Sequence, residues 1–567
     1  MEEKAEILKK LFSEKKYTEL VFEIETNLEE KYKTTPILNL LGACILLRTR
    51  GKKSKEDLVW ASSIFKQAYL KERQTNHGLL ALVNFINTSV DIKNFYEVEI
   101  NFKEIFSYFE ETKELYDHNE ALILAILRVY KYLNNLEKIL YYLEILVDKK
   151  NCKISTICSY IYYNCFKNDQ PQEFFFEQAK LLDKILPKYE EEKLTNINNN
   201  KNNNKNKNKN KKISLAFLSS DIARKHSITY FLKTILSKYD KNKYKIFLIL
   251  NNTEEDLTTN AFKELVDESF NIKGLDDIKA INLIRQQNID IIIDIMGLTS
   301  DNRITLLKNR LAPIQISWLG YCNTTGLENM DYIISDQNLI FQDEKNLYTE
   351  KIIFLPKIWN CHLGFDFDRK EHPLPFEKNK YITFGSLNNY NKINNDVVEV
   401  WSKILKQVSD SKLILKSSIK RDTDRLKELF KKHDVAESVI FHERSDSFEE
   451  HLNLYQEIDI ALDTFPYNGV TTSFEAIWMS VPVLTMKGFN FNSRCGESIN
   501  KNIDMNYLIA ENKNDYIFKA VELSKNTEKL INIRKEIFEN VASSALFDAT
   551  QFSLDFFKSL ERVYNKL

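Results

Sequence analysis

The side chains best spaced for chemistry in this 567-residue chain lie over 458–494, IDIALDTFPYNGVTTSFEAIWMSVPVLTMKGFNFNSR. An apolar strand is expected to end at Asp463, a tight loop follows over Pro466-Tyr467-Asn468-Gly469, and Val470-Thr471-Thr472 opens a helix. The first amides of a helix lack intrahelical acceptors and stand at the positive end of its dipole, so such a start suits an anion. Thr471 and Thr472 add hydroxyl donors, and Gly469 permits close backbone approach. Glu475, one turn on, stands where a carboxylate accepts hydrogen bonds from the two hydroxyls of a ribose. A plainer role also fits these residues, with Thr472 as a helix cap and Glu475 as a first-turn acid favoured by the dipole. By residue type alone the segment is an anion site.

The elements that must position this site follow from the hydrophobic pattern. After Ile213, short β-branched runs alternate with helical stretches: 213–220, 243–250, 289–297, 332–336 and 351–356, then 381–386, 412–416, 438–442, 458–465 and 481–486. Runs apolar on both faces, separated by helices, mean βα units and buried parallel sheets. Two such series predict an α/β fold of two Rossmann-like domains, over 213–375 and 376–545, with a final helix over 546–567. Ligands of open parallel sheets bind beyond the carboxyl ends of the strands, so two facing domains make a cleft.

Residues 1–190 read as helical throughout. Leu41-Gly42, then Ala61, Phe65 and Ala68 on the next helix, resemble a tetratricopeptide unit, in which small residues let antiparallel helices close up. Further helices are expected at Phe102–Leu115, Ala121–Leu133, Leu136–Val147, Ile154–Phe166 and Phe174–Leu186. The Asn/Lys low-complexity run inside 191–212 has no apolar surface to offset its ordering entropy and reads as a linker.

The formal net charge of −1 provides no global field for nucleic acid or an anionic membrane, and no nucleic-acid partner is expected. No apolar run reaches the roughly 18–20 residues of a membrane span. The acidic start, Met-Glu-Glu-Lys-Ala-Glu, lacks the apolar stretch of a secretory signal. Seven scattered cysteines without CxxC or zinc-ligand spacing read as reduced thiols of a cytoplasmic protein.

Four ordered blocks carry a resemblance. DTFPYNGVTTSFEAIWMSVPVLT closely resembles the donor-site signature of the protein O-linked N-acetylglucosamine transferase family (glycosyltransferase family 41), including its SPINDLY-like bacterial members. LAPIQISWLGYCNTTGLENMDYIISD (311–336), FGSLNNYNKINNDVVEVWSKILKQVSDSKLIL (384–415) and LSSDIARKHSITYFL (218–232) agree with it in order and spacing. The resemblance spans roughly 213–565, and a helical-repeat N-terminus is also the family's arrangement.

It implies a GT-B fold and inverting transfer of N-acetylglucosamine from UDP-GlcNAc to Ser or Thr hydroxyls of a protein acceptor held on the helical region. No cofactor or metal is expected, and no DxD-type pair stands in a loop where it would bridge Mg²⁺ and diphosphate. Without a metal, fixed donors must meet the leaving-group charge. Lys392 matches the family lysine at the diphosphate, with Asn389 at the neighbouring polar position. Thr471 and Thr472 match the phosphate-binding threonines, Glu475 the ribose-binding acid and His451 the histidine beside the uridine. His226 is the catalytic-half histidine, suited as a neutral imidazole to orient the acceptor hydroxyl or relay its proton. Arg494 matches a family arginine expected to hold the cleft together.

Several positions depart from the pattern. Asp221 and His226 stand five apart where the family has four, an extra residue that either shifts the ring or makes Lys225 the loop's functional side chain. Leu298 follows Gly297 where bacterial relatives often have histidine, and Cys322-Asn323 replaces a Pro-Gly. Phe448 stands where animal members have lysine. The alternatives are the same scaffold with GDP-fucose or UDP-glucose as donor, or a non-catalytic helical-repeat scaffold.

Overall fold

The β-branched runs form strands in the computed structural model, which describes residues 2–48, 54–96, 100–116, 119–149, 151–168, 170–194, 211–223, 226–367, 369–416, 420–443, 445 and 447–566. The Asn/Lys run at 195–210 and Lys225 lie outside the described residues.

Seven parallel strands make the first sheet: β1 (Ile213–Ser219), β2 (Tyr244–Leu250), β3 (Glu268–Asn271), β4 (Ile291–Asp294), β5 (Ile314–Ser317), β6 (Tyr332–Ser335) and β7 (Lys351–Phe354). Their order is β3-β2-β1-β4-β5-β6-β7. The second sheet contains β8 (Thr383–Ser386), β9 (Lys412–Lys416), β10 (Val439–His442), β11 (Ile460–Leu462), β12 (Val483–Met486) and β13 (Ile509–Ala510), ordered β10-β9-β8-β11-β12-β13. Both are Rossmann-like sheets whose strand order reverses direction once, at β1/β4 and at β8/β11. Central strands such as Ile291–Asp294 and Ile314–Ser317 are buried along their whole length, as helices on both faces require.

Three strands escaped the sequence pattern. β3, Glu-Ser-Phe-Asn, is a polar edge strand, β5 is four residues inside a longer block, and β13 is two residues long. None is long enough to show a period of its own.

The final helix, Ala549–Tyr564, returns to the first sheet's domain after the chain has completed the second. Phe556 packs on Trp318 with ring centroids 4.8 Å apart, Phe557 on Tyr244 at 4.7 Å, and the Tyr244 hydroxyl donates to Glu561 Oε1 at 2.5 Å.

The chain divides into two compact units with the boundary after Cys152, within the helical region expected over 1–190. Met1–Cys152 stands as one unit of helical hairpins, including Thr35–Leu47, Lys55–Lys71, Asn76–Phe95, Glu120–Tyr132 and Leu136–Val147. A Cβ on Gly42 would lie 2.6 Å from the Phe65 ring, so the missing side chain is what lets the first two of these helices close. Turn residues Ser54, Thr75, Asn119 and Asn135 each cap the following helix by accepting a backbone N–H.

Helices Ile154–Asn164 and Gln172–Ile185 belong to the unit that holds both sheets. Their polar side chains are committed there: Gln172 Nε2 donates to Asn323 Oδ1 at 2.7 Å, and Asp183 pairs with Lys308 at 2.7 Å. Among the described residues, no helix is long and apolar enough to cross a membrane.

Candidate functional site

The loops leaving β1, β4, β8 and β11 flank the two strand-order reversals, and those after β1, β8 and β11 lead into His226, Asn389, Lys392, Thr471 and Thr472. A cavity of about 520 Å3 opens between them, lined by His226 from the first domain and by Asn389, Lys392, Thr471 and Thr472 from the second.

Asp463, just past β11, folds the loop that shapes the second half. Its buried carboxylate accepts the Thr464 N–H at 2.9 Å, the Gly469 N–H at 2.7 Å and the Thr485 hydroxyl at 2.8 Å. Burial raises its pKa to about 6, against the pull of those donors and of Lys392. The loop is closed further by Asn468 Nδ2 donating to the Thr464 carbonyl at 2.8 Å.

These bonds change the role of Gly469. Its amide is spent on Asp463, and a Cβ there would lie 2.6 Å from Thr472 Oγ1 and 2.8 Å from Asn388 Oδ1. The glycine lets the loop pack behind the helix start.

Helix Thr471–Trp478 begins at the cavity, and no side chain of Val470 caps its first amides. Thr472 does not cap it; its hydroxyl donates to Asn388 Oδ1 at 2.9 Å. Asn389 caps the short turn Tyr390–Lys392 through the Asn391 N–H at 3.0 Å, which brings Lys392 across the cavity. Lys392 Nζ donates to the Asn468 carbonyl at 2.7 Å and lies 4.6 Å from the Tyr467 ring centroid. An ammonium has three donors, so this one fixed bond leaves two for a ligand. Burial lowers the Lys392 pKa, with Asp463 opposing it.

His451 and Glu475 lie beside the helix start rather than on the wall of the main cavity. Lys416 Nζ stands 2.6 Å from His451 Nδ1, and His451 Nε2 stands 2.9 Å from Glu475 Oε2. A lysine ammonium only donates, so Nδ1 accepts and the ring carries its proton on Nε2, directed at the carboxylate. The Tyr455 hydroxyl, 3.0 Å from Glu475 Oε2 and 3.1 Å from the Thr472 carbonyl, ties this relay to the helix start.

On the first domain, His226 caps helix Ser227–Leu236. Its Nδ1 accepts the Ile228 N–H at 3.4 Å, which puts the proton of the neutral ring on Nε2. The ring is exposed, and Asp221 lines the same cavity with a pKa raised by burial and lowered by His226. Asp294, at the end of β4, accepts the Met296 and Gly297 N–H groups at 3.2 and 2.9 Å, and burial lifts its pKa to about 6.

Arg494 joins the halves. From the second domain it makes a bidentate pair with Glu344 of the first at 2.6 and 2.7 Å, and donates to the Leu339 carbonyl at 3.2 Å. Ser498 adds a hydroxyl bond to Asp336 Oδ2 at 2.7 Å.

Several cavity residues have no local signal. Tyr162 lies on helix Ile154–Asn164 and Phe166 in the turn just after it, both more than 200 residues from Lys392. Asn360 is fully buried, lines the cavity, and neither of its amide atoms has a hydrogen-bond partner among the described residues. Lys416 had a partial signal, since it ends a strand and so stands at the ligand-binding edge of its sheet.

The model of the family described as glycosyl transferase family 41 matches residues 189–364 and 367–556. The probable UDP-N-acetylglucosamine–peptide N-acetylglucosaminyltransferase SPINDLY of Solanum lycopersicum is 29% identical over 439 residues, 75% of this chain and 45% of that protein. The SPINDLY protein of Eustoma exaltatum subsp. russellianum is 33% identical over 356 residues, 60% of this chain and 38% of its own length. The chain thus spans less than half the length of these curated relatives. A mutant O-GlcNAc transferase of Thermobaculum terrenum shares the fold, with a TM-score of 0.77 at 20% identity over 93% of this chain and 97% of that one.

Proposed function

The chain belongs to glycosyl transferase family 41, and from that premise we propose that it transfers N-acetylglucosamine from UDP-GlcNAc to Ser or Thr hydroxyls of protein acceptors in the cytoplasm. One observation carries the reading: Lys392, Asn389 and the start of helix Thr471–Trp478 converge on a single cavity at facing strand-order reversals. That is a cradle for a diphosphate, with the Lys416–His451–Glu475 relay beside it for the nucleoside.

The acceptor oxygen attacks the anomeric carbon from the face opposite the diphosphate. The bond from that carbon to the phosphate oxygen breaks, its electron pair leaves with UDP, and configuration inverts. Lys392 and the helix-start amides meet the charge that develops on UDP, without a metal. The proton of the acceptor passes to a phosphate oxygen of the donor. His226 supports this assignment: with Nδ1 taken by the Ile228 amide, its Nε2–H donates and orients rather than abstracts. The helical unit Met1–Cys152 holds the acceptor chain.

A donor screen tests the proposal. Hydrolysis and transfer are measured with UDP-GlcNAc, UDP-glucose and GDP-fucose, in buffer with EDTA. Turnover of UDP-GlcNAc under EDTA is the expected result. Activity with GDP-fucose and no UDP-sugar overturns the donor, and strict dependence on added divalent metal overturns the leaving-group assignment.

A further inference from the structure

Tyr467 sits between the cavity and the first helical hairpin of the sheet-bearing unit. Its ring stacks on Phe166 with centroids 4.8 Å apart and planes at 21°. The Lys392 ammonium lies 4.6 Å from the centroid of the same ring. Phe166, Tyr467 and Lys392 all line the cavity. A phenol ring attracts a cation through its π face, and its position is set by whatever packs against it.

Phe166 is itself firmly held, because its turn is tied to both halves of the cleft. The carbonyl of Cys165 accepts from Asn492 Nδ2 at 3.4 Å, and Asn168 Nδ2 bonds the Asp396 carboxylate, both on the second domain. Six residues beyond Phe166, Gln172 is bonded to Asn323 of the first domain.

Resting on the donor reading above, we infer that Phe166 is a positioning residue for glycosyl transfer: stacked on Tyr467, it fixes the ring that carries the Lys392 ammonium, and so fixes where that charge meets the departing diphosphate. The geometry makes a definite demand on Lys392. One of its donors is held by the Asn468 carbonyl at 2.7 Å and the ring limits where the others swing. If the ring tilts, the ammonium keeps its charge but loses its aim. That loss falls on the step in which charge develops on the phosphate, more than on binding of the ground-state donor. The wall of Phe166 and Tyr467 also keeps water from Lys392, whose pKa burial holds below its ordinary value.

The test is Phe166→Leu, which keeps apolar bulk and removes the stacked ring, with Phe166→Tyr and Phe166→Trp as variants that retain one. In Phe166→Leu, kcat for transfer is expected to fall about tenfold while the donor KM stays within about threefold. The pH above which UDP affinity declines should move up, because a better hydrated Lys392 keeps its proton to higher pH. The ring-bearing variants are expected to recover kcat to within about threefold of wild type.

A kcat in Phe166→Leu within twofold of wild type overturns the inference. So does a loss carried entirely by KM, or an equal loss in all three variants that tracks a lower melting temperature. Wild-type turnover, measured in the same series, separates the two proposals. A wild type that turns over no sugar nucleotide ends the functional reading, while the pH limb of UDP binding still reads the Phe166 stack.

Discussion

Both sheets end the strand at their reversal point in a buried aspartate that folds the next loop, yet the two loops do different work. Asp294 reaches only to Gly297, whereas Asp463 reaches to Gly469 and so spans a loop long enough to carry Tyr467 and Asn468 over Lys392. The second half is consequently cross-tied: Lys392 to Asn468, Thr472 to Asn388, and Lys416 to His451 to Glu475. The first half presents an exposed His226 held by one long bond. The same anchor on two loop lengths thus yields a cross-tied second half and a sparsely tied first half.

The largest expected effect breaks the cross-tied end. Lys392→Ala should lower kcat by about 10²–10³-fold, the range for removing a donor that meets developing charge. Initial rates of donor hydrolysis and transfer measure this, and a loss below tenfold would erase the contrast between the halves.

The next effect concerns the joint. Arg494→Ala leaves Glu344 without its bidentate partner, and should destabilise the sheet-bearing unit by roughly 2–3 kcal/mol in urea unfolding. That is less than for a fully buried pair, because the Glu344 side chain keeps 20% of its surface in water. An unchanged midpoint would mean that the Arg494–Glu344 pair adds no net stability to the joint.

A pair of histidine variants sharpens the comparison further. His451→Ala should weaken UDP binding about tenfold by freeing Glu475 and Lys416 from each other. His226→Ala should leave UDP affinity within about twofold and slow transfer about tenfold. Calorimetric UDP titration beside transfer rates reads both, and identical profiles would show that the two ends are not separable.

The smallest effect follows from the shared anchor. Asp294 and Asp463 have pKa values raised from 3.8 to about 6, so the native state holds protons that the unfolded chain has already released. Their contribution to stability is complete below 3.8 and is lost as pH rises through about 6. Other carboxylates bring slopes of their own, so the readout is a difference. Asp463→Asn should remove about one proton's share of the negative slope of stability against pH between those limits. A slope identical to wild type would mean that Asp463 is ionised throughout.

Much of this was legible along the chain because local chemistry encodes it. Runs apolar on both faces announced ten of the thirteen strands seen among the described residues, and the step from Asp463 through a tight loop to Thr471 marked the helix start. Lys392, Asn389, Thr471 and Thr472 came from ordered blocks, and their shared place at the ends of β8 and β11 explains why those blocks cluster. The same local reading missed that the Gly469 amide is bound by Asp463, because that bond depends on how the loop closes.

By itself, then, the sequence determined the two α/β series, the helical hairpins before them and the helix start at Thr471, since each is set by spacing over a few residues. Only the tertiary structure decided that the helical region divides after Cys152, that the last helix completes the first domain, and that Phe166 reaches Tyr467 across 300 residues. It alone supplied Lys416 to His451 and turned Arg494 toward Glu344. No repeat along the chain encodes such contacts. They arise when separately formed surfaces find the one packing that buries their rings and pairs their charges.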